Sequence, residues 1–165
     1  MKSELTQAML KELLHYDPQS GVFTRRVTAG RYPAGVVAGS LDFYGYSNIA
    51  VEGRKYKAHR LAFLYMTGAF PSADVDHINR NPADNRWVNL RPATRSENQV
   101  NKGLRSDSTS GRRGVSWNKR LKKWHAYGKR PGPRTHLGFF DDLEEAATAA
   151  QKWREENFGQ YASAQ

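Results

Sequence analysis

The 165 residues include no cysteine. This absence excludes disulfide bonds and cysteine-ligated zinc, so any bound metal must be held by His, Asp, Glu or Asn. Long apolar runs are also missing from the first residues, MKSELTQAMLKELL, where acidic residues interrupt the apolar ones. We therefore expect neither a secretory signal peptide nor a membrane span there, and we expect a soluble, cytoplasmic protein without a membrane partner.

Acidic residues are scarce, with 16 Asp and Glu against 26 Lys and Arg and a net charge of +10. The excess is concentrated in residues 104–137, which carry ten Lys and Arg against one Asp, whereas residues 138–165 carry two basic residues against six acidic ones. The 38% of apolar residues can form one ordinary domain or two or three small ones. A polyanion is the partner class that this charge favours.

Aromatic residues are interleaved with the basic ones in residues 112–130, RRGVSWNKRLKKWHAYGKR, and a disordered tail would lack them. Alternation places Trp124, Ala126 and Gly128 on one face of a strand and the polar residues between them on the other. RTHLGFF, after the turn signal PGP, predicts another strand, and DDLEEAATAAQKWREENFG predicts a helix with acids at its start. The pattern indicates a small basic sheet backed by an acidic helix.

Through RGVSW, KWHAY, LGFF and DDLEEAATAA in this order, the segment resembles the APETALA/ethylene-response-factor DNA-binding domain. That family inserts the open face of a three-stranded sheet into the major groove of DNA. The resemblance implies a set of DNA-facing residues: Arg113, Ser116, Asn118, Tyr127, Lys129, Arg134 and His136. We expect Arg120 and Lys122, in the same basic segment, to bind DNA as well. A solvated basic surface is the alternative interpretation. We expect Trp117 and Trp124 to pack in the core.

The first 70 residues predict a mixture of helices and strands. TQAMLKELLHY has the spacing of a short amphipathic helix with Leu10, Leu13 and Leu14 on its apolar side. YSNIAVEGRKYKAHR predicts a hairpin that turns at Glu52-Gly53, and HRLAFLYMTG predicts an apolar helix that ends at Gly68.

Polar residues recur at set intervals in residues 76–90, DHINRNPADNRWVNL, a stretch too rich in Asn to form a single helix or strand. We predict that a short strand ends at His77 and that a second strand opens at Asn89 and is stopped by Pro92. The T-x-x-E pattern that starts at Thr94 is a capping-box signal for a helix. The predicted order is strand, loop, strand, helix.

Together with the GY and AHRLAF segments and the pair Glu97-Asn98, this stretch resembles the HNH nuclease family, in the branch found in phage and intron-encoded homing endonucleases. The resemblance covers most of residues 16–103. It implies the ββα-metal fold and a hydrolase that nicks or cleaves double-stranded DNA in a bacterial or phage-infected cell. It also implies that Asn89 ties the loop down and orients the catalytic His, and that Asn85 braces the loop. We expect His59, in AHRLAF, to cap or pack its helix near the site rather than to bind metal.

Hydrolysis of a phosphodiester requires a base that activates water and a cation that offsets charge on the phosphate. A hard cation prefers oxygen ligands and keeps several waters, so one carboxylate and one amide suffice. We expect Asp76 and Asn98 to hold the cation, and His77, on the opposite face of the strand end, to be the general base. The Asn at position 98, where the family name has its final His, favours Mg²⁺ or Mn²⁺ over Zn²⁺.

The sequence predicts an α+β protein: a ββα-metal nuclease region followed by a small three-stranded antiparallel sheet packed on one helix. We expect the nuclease region at residues 1–103, with the metal motif at 71–103, a linker at 104–111, and the DNA-binding domain at 112–165. No small-molecule cofactor beyond the metal is expected. Two alternatives stay open: a non-catalytic DNA-binding regulator on an inactive nuclease scaffold, and a basic RNA-binding protein. The oligomeric state also stays open.

Overall fold

The computed structural model describes residues 4–101, 104, 108–130 and 133–162. The chain divides into two compact units, residues 1–93 and 94–165. Each unit buries its own apolar cluster and combines helices with small antiparallel sheets. The predicted mixture of helices and strands is therefore confirmed. The nuclease and DNA-binding domain boundaries stay a prediction.

The first unit begins with helix α1, Gln7–Leu13, and two short paired strands, β1, Leu14–Tyr16, and β2, Phe23–Arg25. Thr6 caps α1, because its side chain accepts a hydrogen bond from the Met9 amide. Leu14 was expected on the apolar side of this helix but is the first residue of β1. Its backbone pairs with Arg25, so sheet pairing ends the helix one residue earlier than the apolar spacing suggests.

A second sheet is formed by β3, Ser40–Leu41, β4, Ser47–Val51, and β5, Arg54–Lys57. The predicted hairpin turn is confirmed, since Glu52 and Gly53 connect β4 to β5 with φ angles of 50° and 73°. Positive φ at both central positions is the geometry of a type I′ two-residue hairpin loop.

Helix α2, Ala58–Thr67, follows β5 directly and ends at Gly68, as predicted. Gly68 has a φ of 85° and its amide donates to the Leu64 carbonyl, the left-handed cap that glycine adopts without strain. Leu61 and Leu64 are almost fully buried in the core of this unit. The helix thereby fixes the position of its first turn, which carries His59.

The last two strands of the unit are β6, Asp74–His77, and β7, Leu90–Ala93, which pair antiparallel. The polar loop between them ends in a 3₁₀ turn, Trp87–Asn89. The prediction that Pro92 stops the second strand is wrong, because β7 continues to Ala93 and Pro92 lies opposite Val75. In a two-stranded sheet both strands are edge strands, where proline is tolerated.

The end of β1 and the turn that follows it contact the polar loop between β6 and β7. The Tyr16 hydroxyl donates to the Asn85 carbonyl at 2.7 Å, and the Trp87 amide donates to the Pro18 carbonyl at 2.9 Å. A Cβ atom on Gly21, which has a φ of 74°, would lie 2.4 Å from backbone atoms of Asn85 and Arg86. Glycine is therefore required there for the loop to approach this closely.

The second unit begins with helix α3, Arg95–Asn101. The predicted capping box is confirmed: the Thr94 amide donates to the Glu97 carboxylate at 2.7 Å, and the Glu97 amide donates to the Thr94 hydroxyl at 3.3 Å. The Asn98 amide donates to the Thr94 carbonyl. Asn98 therefore lies in the first turn of this helix, as expected.

Three antiparallel strands form the sheet of the second unit: β8, Val115–Asn118, β9, Lys123–Lys129, and β10, Arg134–Phe140, with β9 in the centre. Helix α4, Leu143–Phe158, covers one face. A Cβ atom on Gly128 would lie 2.3 Å from the Trp153 ring, so the helix packs directly on bare backbone there. The predicted sheet on one helix is confirmed in this unit.

The two tryptophans of the sheet differ in burial. Trp124 packs against the apolar cluster, whereas Trp117 is 43% exposed, with its ring centroid 4.9 Å from that of Trp124. The expectation that Trp117 is a core residue is wrong. It lies near the end of β8, an edge strand, so only one neighbouring strand covers it.

Part of the predicted linker is anchored to the sheet. Ser110 is buried; its hydroxyl donates to the Val115 carbonyl at 2.8 Å and accepts from the Arg112 amide at 3.2 Å. The linker residues 105–107 lie outside the described residues. Ser110, two residues ahead of the predicted domain start at residue 112, therefore bonds to the sheet.

Candidate functional site

The end of β6 buries two chemically active side chains in succession, Asp76 and His77, which are 4% and 5% exposed. Successive residues of a strand point to opposite faces, so the carboxylate and the imidazole have different neighbours. Asp76 lies directly opposite Arg91 on β7. The Arg91 Nε donates to Asp76 Oδ2 at 2.8 Å, and Arg91 Nη2 lies 2.7 Å from the same oxygen.

Sequence reasoning missed Arg91. An acid and a base fifteen residues apart give no local signal, and the pairing follows only when the register of the β6–β7 hairpin is known. The observed register pairs His77 with Leu90 and therefore places Asp76 opposite Arg91. Opposite charges that face each other across two strands form an ion pair.

Two further rings enclose the His77 imidazole. The ring centroid of His59, from the first turn of α2, lies 5.1 Å from that of His77 in an edge-on arrangement. The Tyr46 ring lies 5.6 Å from His59 and 5.9 Å from His77. We call Tyr46, His59 and His77 the ring cluster. His59 is buried and packs within this cluster.

Burial determines the charge of both imidazoles. Loss of solvent lowers the pKa of His77 below its usual range, although the contact with Asn85 opposes this shift. Burial, reinforced by the neighbouring His77, lowers the pKa of His59 to about 3. Desolvation disfavours the charged imidazolium, so both rings are neutral at neutral pH, the form that can accept a proton.

The amide next to the His77 ring belongs to Asn85. Asn85 Oδ1 lies 3.4 Å from His77 Nε2, and Asn85 Nδ2 donates to the Ala83 carbonyl at 3.0 Å. The second bond fixes which amide atom faces the ring, so His77 Nε2 carries the hydrogen and the neutral ring has its lone pair on Nδ1. Asn85 therefore contacts the ring directly, and the orienting role expected of Asn89 stays a prediction.

Asn89 ties the loop together from within. Its Oδ1 accepts from the Asn79 amide at 2.9 Å, and its Nδ2 donates to the Asp84 carbonyl at 2.8 Å and to Asn79 Oδ1 at 3.0 Å. The Asn89 carbonyl accepts from the Ile78 amide at 2.9 Å. These bonds join the residues that follow His77 to the residues that precede β7.

The donor set at β6 suits a hard cation better than a zinc ion. Among the described residues, no group of three or more His, Asp or Glu side chains is arranged to hold a metal. Mg²⁺ usually keeps several waters and binds through one or two carboxylates together with substrate phosphate. Asp76 can supply such a carboxylate. Asn98, the second predicted ligand, belongs to the other compact unit, and its role stays a prediction.

The face of the C-terminal sheet opposite α4 carries several of the predicted DNA-facing residues. His136 lies opposite Tyr127 across β9 and β10, and the Arg134 guanidinium lies 4.3 Å from the centroid of the Tyr127 ring. His125 Nε2 lies 2.9 Å from His136 Nδ1. Burial, followed by the effects of His136 and Arg134, lowers the pKa of His125. Phe139 stacks near both imidazoles.

His125 and Phe139 were not among the predicted site residues. Alternation placed His125 on this face, but the family comparison did not single it out. Phe139 joins the same face because the register of β10 shifts between His136 and Gly138, and a bulge of this kind cannot be inferred from alternation alone.

Two of the predicted DNA-facing residues have structural bonds. The Arg113 guanidinium donates to the carbonyls of Gln99 and Val100 at the end of α3. Asn118 Oδ1 accepts from the amides of Arg120 and Leu121 at 3.0 and 2.9 Å, which caps the turn between β8 and β9.

The remaining predicted residues of this surface are accessible. Ser116 and Tyr127 are partly exposed, and the other members are exposed: Arg120, Lys122, Lys129, Arg134 and His136. We call the strand-face and turn residues that stay available the sheet surface: Ser116, Arg120, Lys122, Tyr127, Lys129, Arg134 and His136.

Known proteins share the segment that builds the first of these sites. A family model described as HNH endonuclease matches residues 56–100, which include α2, the β6–β7 hairpin and the start of α3. A curated relative is 35% identical over 92 residues, a match that covers 53% of this chain and 72% of the relative. The chain therefore belongs to the HNH endonuclease family. The relative is Protein 3.8 of Escherichia phage T7.

A solved structure of the HNH homing endonuclease I-HmuI, which describes DNA binding and cleavage by that enzyme, also matches. The sequences are 22% identical and the TM-score is 0.41. The match covers 53% of this chain, and the chain spans half the length of that homing endonuclease. Within the described part of the chain, no helix is long and apolar enough to cross a membrane.

Proposed function

We propose that the chain is a divalent-cation-dependent endonuclease that nicks or cleaves double-stranded DNA, with His77 as its general base. One observation carries the proposal: a buried, neutral imidazole lies beside the Asp76 carboxylate at the end of β6, inside the segment that matches HNH endonucleases. A positioned neutral imidazole can take a proton from water as the water attacks phosphorus. The phage relative supports action in a phage-infected cell. We propose the homing type because residues 16–103 resemble that branch of the family.

The surroundings of His77 would keep the imidazole in one orientation. Asn85 accepts from Nε2, and the edges of the His59 and Tyr46 rings restrict rotation. Asn89 acts one step further away, because its bonds hold the loop that carries Asn85. Fixing a base before substrate binds lowers the entropic cost of reaching the transition state.

Asp76, together with Asn98, would hold the cation, Mg²⁺ or Mn²⁺. The bound cation would offset negative charge on the scissile phosphate and on the leaving oxygen. The carboxylate of Asp76 is fixed on a strand and oriented by Arg91, so the chain presents one charged oxygen ligand in a defined position.

The C-terminal sheet domain would supply DNA affinity. Its basic segment, residues 104–137, carries ten Lys and Arg against one Asp, and the sheet surface exposes several of these charges opposite α4. An APETALA/ethylene-response-factor-like mode, in which the sheet face enters the major groove, fits this distribution. We propose the nuclease region at residues 1–103, the linker at 104–111 and this domain at 112–165.

A non-catalytic DNA-binding regulator is a second candidate. It is favoured by the ion pair with Arg91, which engages the carboxylate that catalysis needs. The two candidates differ in one outcome, since only the nuclease converts substrate.

Supercoiled plasmid incubated with the purified chain tests the proposal. We expect nicked or linear product with Mg²⁺ or Mn²⁺ and intact plasmid with EDTA. The matched control is the His77→Ala protein at the same concentration, which should bind the plasmid without converting it. Intact plasmid with wild-type protein under every cation condition, together with retained binding, would favour the regulator.

A further inference from the structure

The Asp76–Arg91 ion pair differs from the other ion pairs between described residues in its burial. The side chains of Arg91 and Asp76 are 10% and 5% exposed. In each of the other described pairs at least one side chain is more than a third exposed. Arg86 and Asp84, in the loop beside the site, form such a pair, with 50% and 12% exposure.

Stability does not explain why the chain keeps this pair. Burying two charges costs as much as their attraction returns, and an apolar pair of similar volume often stabilises a core equally well. The pair also joins the Asp76 carboxylate of the candidate site to the positive charge of a guanidinium.

We propose that Arg91 is a positioning residue that acts as the resident counter-charge of Asp76, so that the chain without DNA binds a divalent cation weakly. The inference rests on the proposed function, because it concerns the same carboxylate. The guanidinium places two nitrogens within 2.8 Å of Asp76 Oδ2. A divalent cation that binds this carboxylate would meet both the occupied oxygen and the repulsion of a neighbouring positive charge.

Cation binding would then depend on the nucleic acid. A phosphate group of bound DNA adds negative charge and supplies further oxygen ligands. It offsets the repulsion from Arg91, so cation and DNA bind more tightly together than either does alone. Couplings between two ligands of one protein are typically about 5- to 150-fold. Because of Arg91, the site at Asp76 would be fully occupied by the cation only when DNA is bound.

Titration of the full chain with Mn²⁺ in the absence of DNA tests this role. We expect Arg91→Met to bind Mn²⁺ about tenfold or more tightly than wild type, within the usual range of such couplings. Arg91→Gln removes the charge but can still donate to Asp76, and it should show the same gain. Arg91→Lys keeps the charge and should remain close to wild type. Arg86→Met, which breaks the exposed ion pair with Asp84, is the matched control and should leave the affinity for Mn²⁺ unchanged.

Thermal unfolding provides a readout that does not depend on activity. Without cation, Arg91→Met leaves the Asp76 carboxylate buried without this partner and should lower Tm by roughly 10 °C. Saturating Mn²⁺ should recover most of that loss and raise the Tm of wild type less. The double variant Asp76→Leu with Arg91→Met should restore Tm and lose the response to Mn²⁺.

Two results would overturn the inference, and they differ in what else they affect. Equal or weaker Mn²⁺ affinity in Arg91→Gln, with wild-type cleavage intact, would show that Arg91 does not oppose the cation, while the proposed function stands. Absence of Mn²⁺ binding in every variant, together with uncut plasmid, would remove the inference along with the proposed function.

Discussion

The two compact units use polar side chains in opposite ways. In the first unit, the candidate catalytic residues Asp76, His77 and Asn89 are buried and bonded within the protein. In the second unit, most members of the sheet surface are exposed. The difference teaches that proton transfer requires one fixed geometry, whereas contact with a phosphate backbone requires accessible charge. Burial therefore separates residues proposed for chemistry from residues proposed for affinity.

The largest effect is expected at the carboxylate. Asp76→Ala removes the charged cation ligand and should lower the cleavage rate by about 10²-fold or more, since two protein ligands leave little redundancy. Asn98→Ala should also reduce turnover and shift the Mg²⁺ titration to higher concentration. Cleavage rates measured over a Mg²⁺ series check both variants. Titration curves identical to wild type for the two proteins would contradict the assigned ligands.

The next effect concerns the loop. Asn89→Ala breaks three side-chain hydrogen bonds in a part-buried network and should cost about 1–3 kcal/mol of unfolding free energy, with a slower cleavage rate. Asn85→Ala should lower the rate without a comparable loss of stability, because its role is to orient the His77 ring. Urea denaturation and single-turnover cleavage separate the two. Equal stability of both variants would refute this division.

The first unit should lose stability in acid. The folded-state pKa of His59 is about 3, and in the unfolded chain it returns to about 6.5. Above that pH both states are neutral and stability is complete. As the pH falls from about 6.5 toward 3, only the unfolded chain gains the proton, so unfolding free energy falls by about 1 kcal/mol per pH unit. The pKa of His77 is also lowered by burial, so His77 should add to this loss of unfolding free energy.

His59→Phe keeps an aromatic ring in the cluster and should flatten the dependence of unfolding free energy on pH between 7 and 5. The control is His15→Phe, the same exchange at a side chain on β1 that is exposed. Chemical denaturation at pH 7, 6 and 5 measures both. An unchanged slope in His59→Phe would show that this histidine is not protected from protonation in the folded protein.

A smaller effect is expected from the arginine that bonds to α3. Arg113→Ala removes the donor to the carbonyls of Gln99 and Val100 and should lower stability by about 1 kcal/mol. Hydrogen exchange should increase in α3, and DNA affinity should change less than in Arg120→Ala, where an exposed charge is lost. A larger loss of DNA affinity in Arg113→Ala than in Arg120→Ala would show that Arg113 contacts DNA, as the residues of the sheet surface are proposed to do.

Local signals in the sequence were enough to predict much of the backbone. Gly68 ends α2, Glu52-Gly53 forms the hairpin turn, and Thr94 opens the capping box. Each depends on one to four adjacent residues whose conformational preferences are strong. Leu14 departed from prediction because strand pairing across the β1–β2 turn overrode the apolar spacing.

The sequence pointed to candidate groups for the chemistry but not to their contacts. The order of Asp76, His77 and Asn89 in the sequence is the basis for proposing these groups, and their roles stay predictions. The partners that set their behaviour come from distant segments: Arg91 through the hairpin register, and His59 and Tyr46 through the packing of α2 and β4. Such contacts depend on tertiary geometry, which no local pattern encodes.

The central claim is that chemistry and affinity are separate properties of separate residues. It is tested by measuring cleavage rate and the salt dependence of DNA binding for His77→Ala and Arg134→Ala side by side. We predict that His77→Ala cuts at least about 10²-fold more slowly and keeps the wild-type salt slope. Arg134→Ala should keep its rate at saturating DNA and lose about 0.9 from the slope of log affinity against log salt. Wild-type cleavage by His77→Ala would contradict the account.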